Sequence, residues 1–380
     1  MSKHAFYWVF VLTCGFYTLS VSQSTGPNAA GQTKAITTAV PFLIITPDSQ
    51  SGGLGDAGVA LTNNSNAMHW NPAAISFINK KFGAGISYTP WLTQLGVRDI
   101  SLSYLSGFYN MGEDGAIGSS LRYFTLGEII FTNDQGQQIG RFNANEFAID
   151  AGYSRKLSES FSLALAARFI YSNLAAGFTI GGTNTVIRPG IAGAADIAGL
   201  YNKDFTVSDL PINLRVGFNI SNIGSKIRYT TSGSADFIPT NMRVGYAIKI
   251  DADNYNSITL TNDFNKLLVP SAGGAARTGL ISGMMQSFGD AQGGFSEEIS
   301  EITTSIGLEY WYNKLFAARA GFFYEDPAKG ARKYMTFGMG IRYNVLGFDF
   351  AYLVPFQQNH PLANTLRFSL LFDFEAFKNQ

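Results

Sequence analysis

The sequence predicts an all-β chain: a 14-stranded antiparallel transmembrane β-barrel whose own N-terminal segment fills the lumen as a plug. Three observations predict it. Apolar side chains alternate with small or polar ones over stretches of roughly 10 to 13 residues, whereas globular strands cluster near 5–6 residues and tilted membrane strands need about 9–11. Aromatic rings recur in the apolar sets, where the two membrane interfaces favour them. Connections alternate between tight turns and long loops, as in outer-membrane barrels.

Composition fits an exported membrane chain. The 380 residues carry 27 basic and 27 acidic side chains, a balance that gives no electrostatic footing for nucleic acid. Charged residues are 14% of the chain, against about a quarter in soluble domains. At the N-terminus, Lys3 precedes an apolar run over 5–19, and Ser20-Val21-Ser22 supplies small residues. This is read as a secretory signal peptide, 1–22, with cleavage expected after Ser22; the alternative, a single membrane anchor, would need a longer run. The lone cysteine, Cys14, lies inside it, so the mature chain is expected to have no disulfide and no thiol chemistry. No later run approaches the roughly 20 apolar residues that a membrane helix needs.

Residues 23–81 are read as an N-terminal extension and lumen plug, and 82–375 as the barrel. The strands fall at about 82–91, 97–109, 115–126, 143–155, 160–172, 191–202, 211–222, 239–250, 255–265, 302–313, 315–325, 333–344, 345–355 and 363–374. The alternation is strict, for example, in Leu163, Leu165, Ala167, Phe169 and in Met335, Phe337, Met339, Ile341, and period two is a strand signature. It is poor in AGAADIAGLYN, the sixth segment. In the second segment the apolar set assigned to lipid is Ile100, Leu102, Tyr104 and Phe108. Tyr104, Tyr153, Tyr171, Tyr310, Tyr312, Tyr343 and Tyr352 are assigned to the interfaces. Long extracellular loops are predicted at 127–142, 173–190, 223–238 and 266–301. The opposite face sends Arg122, Arg168, Arg215, Arg243, Arg319, Arg342, Arg367, Asp150, Asp263, Glu309, Asp349 and Asp373 into the lumen, either as paired charges bracing wall and plug or as a polar conduit for a ligand. Phe350 is placed on the lipid face and Ala351 in the lumen, where an arginine should be milder.

Gly53, Gly55 and Gly58, in PDSQSGGLGDAGVAL, match the G-x-G-x-x-G spacing of a dinucleotide site. That fingerprint needs a helix to follow, yet Asn63-Asn64-Ser65-Asn66 and Asn71-Pro72 interrupt any helix there. Gly53, Gly55, Asp56 and Gly58 are therefore read as a structural plug motif, glycines admitting close approach and unusual dihedrals. Asn71 and Pro72 form a turn that aims the chain into the first strand. Of three histidines, His4 leaves with the signal, His69 packs in the plug beside Trp70, and His360 sits in a loop. Neither a common zinc ligand set nor a Gly-x-Ser-x-Gly elbow is present, so no catalytic, metal or cofactor residue is predicted. Asp251 to Asn254 is read as a turn. Leu280, Ile281, Met284, Met285 and Phe288 recur at helical spacing within 266–301. They either fold over the barrel mouth or offer a partner an adaptable apolar contact.

The pieces FLIITPDSQSGGLGDAGVAL, HWNPAAI and SYTPWLTQL (87–95) resemble the PorV family, an outer-membrane component of the type IX secretion system of Bacteroidetes-type bacteria. The likeness covers the mature chain and is densest over 42–110; Leu54 stands where that family has Met. More distantly the chain resembles the FadL family of long-chain fatty-acid channels, which share a 14-stranded barrel, a plug and an Asn-Pro-Ala turn. The first resemblance implies a non-enzymatic outer-membrane shuttle with no cofactor. It would bind the C-terminal signal domains of secreted proteins and carry them from the large translocon to a surface sortase or attachment complex. The second implies a channel for fatty acids or other hydrophobic solutes.

Overall fold

The computed structural model describes residues 35–374, apart from 62–63, 98, 134, 180–184, 232, 272–277 and 358–359. The predicted signal peptide, Cys14, residues 23–34 of the extension and residue 375 lie outside them. Within the plug, helix α1 covers Ser49–Gly52 and α2 covers Ala67–Trp70, with 3-10 turns at Pro41–Ile44 and Pro72–Phe77. Fourteen strands follow: β1 Phe82–Pro90, β2 Ile100–Asn110, β3 Ala116–Thr132, β4 Gln138–Lys156, β5 Phe161–Asn173, β6 Gly190–Val207, β7 Leu210–Gly224, β8 Asn241–Asp251, β9 Asn256–Leu267, β10 Thr303–Tyr312, β11 Phe316–Tyr324, β12 Lys333–Tyr343, β13 Leu346–Pro355 and β14 Leu366–Asp373. Helices α3, Leu280–Gln286, and α4, Phe295–Ser300, lie between β9 and β10.

Each strand pairs antiparallel with its sequence neighbours, and β1 pairs with β14 to close the barrel. Closure leaves no unpaired edge, which the hydrocarbon core of a bilayer demands. At the seam Phe82 stacks on Phe374, ring centroids 4.7 Å apart. One barrel end carries tight connections such as 208–209 and 344–345, the other the long ones at 174–189, 225–240 and 268–302. The long-loop end is the cell-surface end by the rule for such barrels. The tight end uses left-handed backbone at Ser208, Asp209, Asn313, Lys314 and Asn344, the geometry of two-residue hairpin turns.

The wall alternates as the sequence predicts on most strands. In β5, Leu163, Leu165 and Phe169 are exposed while Ser162, Ala164, Ala166, Arg168 and Ile170 are buried. An aromatic row crosses three neighbours through Tyr123, Phe147 and Tyr171, paired in register. The weakly alternating sixth segment is a full strand with a bulge between Ala195 and Ile197.

Three expectations need correction. First, β2 is reversed: Leu102, Tyr104 and Phe108 are buried inward, and Leu105 and Tyr109 face outward. Inside, Phe108 packs in one cluster with Met68, Ala73 and Ile75, and Leu102 in another with Phe42 and Leu43. The lumen is apolar wherever the plug is apolar, so the greasier face of β2 serves the plug and Tyr104 is no interface residue. Second, 127–142 is not a long loop. Strands β3 and β4 continue through it as a hairpin, with only 133–137 connecting them, and Phe178 stacks on Phe131 at its tip. Third, Ala351 is 1% exposed against a filled lumen, so an arginine there meets packed atoms and is no longer expected to be mild.

Candidate functional site

The plug starts at the cell-surface end, where the Ala39 amide donates to Phe237 O at 2.9 Å. It descends to the periplasmic end, where the hydroxyls of Ser154 and Ser162 donate to Ala73 O. The motif residues each have a physical reason. Gly53 lies so near β12 that a Cβ on it would sit 3.1 Å from Gly338 Cα. Gly55 has φ +70, and a Cβ there would meet Phe322 O at 2.5 Å. A Cβ on Gly58 would enter the Trp70 ring. Asp56, itself left-handed at φ 64, accepts from Arg367 at 2.8 Å and from the Tyr334 hydroxyl at 2.5 Å. Asn71 caps the Pro72–Phe77 turn by accepting from the Ala73 amide, while its Nδ2 donates to Val59 O and Gly199 O. Pro72 opens that turn, where a missing N–H costs nothing.

The wall answers with charge. Asp263 accepts from the amides of Gly58 and Val59 at 2.7 and 2.8 Å. Arg122, fully buried, donates to Leu43 O and to His69 Nδ1. Arginine only donates, so His69 is the neutral tautomer with its proton on Nε2, a plug residue as the sequence predicts. Paired charges brace the wall itself. Arg168 bridges Asp150 at 2.5 Å and Asp196 at 3.1 Å; Arg319 bridges Glu309 and Asp349, both at 2.7 Å; Arg342 joins Asp349 at 2.8 Å. Pairs this dry are costly to break, because a removed partner strands its mate. The Asp373 side chain lies outside the described residues.

Above the plug a cavity of about 620 Å³ opens at the cell-surface end, within the usual range for ligand pockets. Its floor is plug: Phe42, Ile45, Thr46 and Trp70. Its rim is the long-loop ends of the strands, including Leu126, Leu267, Thr303 and Phe323.

The connection at 268–302 stands beside this mouth. Gly283 of α3 packs on Phe237 and Pro270. Ile281 is 63%, Met285 68% and Phe288 49% exposed, while Leu280 and Met284 are half-buried. Phe295 and Ile299 of α4, 80% and 47% exposed, add to the apolar surface, and the sequence reading missed them. It also missed the clamp beneath. Lys266 pairs with Glu298 at 3.0 Å and Glu301 at 2.6 Å, and Lys329 with Glu297 at 2.7 Å and Glu301 at 2.9 Å. The signal available was the acid spacing in SEEISE, three carboxylates at helical intervals. Burial opposes the Glu298 charge, but the Ala291 amide and Lys266 outweigh it and hold the carboxyl below its ordinary range. Burial likewise opposes the Lys329 charge, and Glu297 and Glu301 more than restore it, raising the ammonium above its ordinary range.

Fold and site together define an outer-membrane β-barrel corked by its own N-terminal segment and open at its cell-surface end. A family model, type IX secretion system protein PorV, matches residues 28–273, more than half of the chain, and the chain belongs to that family. Its place is therefore the outer membrane, in type IX secretion. No curated protein matches it. Among solved structures, the chain is similar to the toluene transporter TodX of Pseudomonas putida at 12% identity and TM-score 0.47, over 85% of this chain and 97% of that one. The Ralstonia pickettii toluene transporter TbuX matches at 12% and 0.42, over 86% and 98%. A Pseudomonas aeruginosa FadL homologue matches at 11% and 0.44, over 87% and 99%.

Proposed function

We propose that this chain is a non-enzymatic carrier: it binds the C-terminal signal domain of an exported protein at its cell-surface mouth, takes it from the large translocon, and hands it to a surface sortase or attachment complex. The observation that carries the reading is the seal. The plug is pinned through backbone and side chain to β9, β12 and β14, so the lumen below the mouth is occupied by the chain itself. What remains available is the mouth cavity and the apolar face of Ile281, Met285 and Phe288, with Phe295 and Ile299 beside it. Met-rich, exposed apolar surfaces suit partners of varied shape.

The alternative, a FadL-like channel for long-chain fatty acids, finds support in the apolar floor of the cavity. It needs a route past the plug, and the pinning opposes that. Affinity capture of the tagged chain from detergent extract tests the carrier reading: it should recover cargo bearing C-terminal signal domains, or the translocon. Uptake of a labelled fatty acid by liposomes holding the chain, with neither partner recovered, would favour the channel.

A further inference from the structure

The charged groups that line the mouth cavity are matched, with one exception. Asp56 is held by Arg367 and Tyr334. Glu325 takes both prongs of Arg332, at 2.8 and 2.7 Å. Glu301 receives Lys266 and Lys329. Arg243, on the surface end of β8, is 6% exposed and enters no ion pair among the described residues. Its Nε donates to Asn265 at 2.6 Å, and its guanidinium lies over the Trp70 ring, 4.6 Å from the centroid. Those contacts orient the plane but leave the two terminal nitrogens, four N–H donors, without a protein acceptor among the described residues. They face the cavity, whose lining includes Arg243. The nearby Asp263 gives one oxygen, Oδ2, to the amides of Gly58 and Val59; its Oδ1 has no hydrogen-bond partner among the described residues, and the Asp263 and Arg243 side chains make no ion-pair contact. A buried guanidinium, fixed in orientation and with no acid in direct ion-pair contact, is an anion-binding element, and its fork matches a carboxylate bidentately.

We infer that Arg243 receives the C-terminal carboxylate of a polypeptide inserted into the mouth cavity. The surroundings favour a polypeptide over an acyl chain. Beside the apolar floor stand Asn241, Asn265, Thr303, Thr38 and Thr46, donors and acceptors that peptide amides need on leaving water and that an alkyl chain does not. The inference rests on the carrier reading and adds the recognised chemical group: the free end of the cargo's signal domain.

The full mature chain in detergent is titrated with N-acetylated Ala-Val-Thr-Val-Leu as free acid and as C-terminal amide, and with octanoate, following tryptophan fluorescence. The free acid should bind at least about tenfold tighter than the amide, the change expected for one charge-assisted hydrogen-bonded pair. That advantage should vanish in Arg243→Gln and return in part in Arg243→Lys. Equal binding of acid and amide, an acid preference that survives Arg243→Gln, or no peptide binding overturns the inference. Octanoate binding without peptide binding overturns it in favour of a fatty acid. If Arg243→Gln does not fold, the acid-to-amide ratio of the unsubstituted chain still decides. A cargo signal domain is then compared with the same domain extended by Gly-Ser at its C-terminus. Equal binding of both overturns the inference and leaves the carrier reading intact, whereas binding of neither removes the carrier reading itself.

Discussion

Asp56 and Arg367 meet at 2.8 Å across 311 residues of sequence, joining the left-handed bend of the plug to the strand that closes the barrel. The pair is nearly dry, with side chains 13% and 3% exposed. Removing one partner of such a pair costs about 3–5 kcal/mol. Arg367→Met should therefore loosen the plug, read as faster hydrogen exchange and proteolysis over 48–60. Asp56→Asn, which keeps an acceptor for Tyr334, should do less. Equal protection in Arg367→Met and the unsubstituted chain would dismiss the pair as an anchor.

Asp263→Ala removes the acceptor shared by Gly58 and Val59. Each orphaned buried amide costs about 1–3 kcal/mol, and the surrounding wall gives no replacement acceptor in the described contacts. Amide exchange at 58 and 59 should accelerate while β9 itself stays protected. Uniform acceleration across the barrel would mean that Asp263 supports the wall rather than the plug.

Facing is tested at Phe350, which packs on Phe368 of β14 at 5.4 Å. Phe350→Arg should cost about 2–4 kcal/mol near the bilayer midplane, measured by refolding yield in lipid. On β2 the same logic now assigns Leu105, 50% exposed, to lipid. Leu105→Arg should damage membrane folding as a lipid-face charge does, and tolerance of it would restore the reading that β2 turns its other face outward.

The loop clamp has a definite pH window. A carboxyl held below its ordinary range, as in Glu298, contributes stability above the unfolded value near pH 4.3 and loses it as pH falls through the lower folded one. An ammonium held above its range, as in Lys329, contributes below about pH 10.4 and loses it as pH rises through the higher folded one. After correction for intrinsic exchange, protection of 280–301 should stay level between those limits and fall outside them. A midpoint near neutrality would assign control to another group.

Period two in the strands carried the barrel, because lipid outside and a braced lumen inside leave opposite marks on alternate residues. It misled at Leu102, Tyr104 and Phe108, because alternation reports which face is greasier and not whether the grease belongs to lipid or to a plug. The β3–β4 hairpin was illegible for a similar reason: beyond the bilayer both faces meet water, and FTNDQGQQIGRF shows no membrane pattern. Plug residues Gly55, Asp56 and Asn71 stood out as a motif, but their partners Phe322, Arg367 and Gly199 are hundreds of residues or several strands away. The clamp of Lys266 and Lys329 is likewise a product of barrel closure.

The seal carries the whole account, and conductance across a planar bilayer measures it most directly. The unsubstituted chain should pass no steady ion current. Gly321→Ala, whose new methyl would collide with the Leu54–Gly55 peptide, should displace the plug and open one. Sustained current through the unsubstituted chain would contradict the seal and, with it, the assignment of the mouth as the working surface.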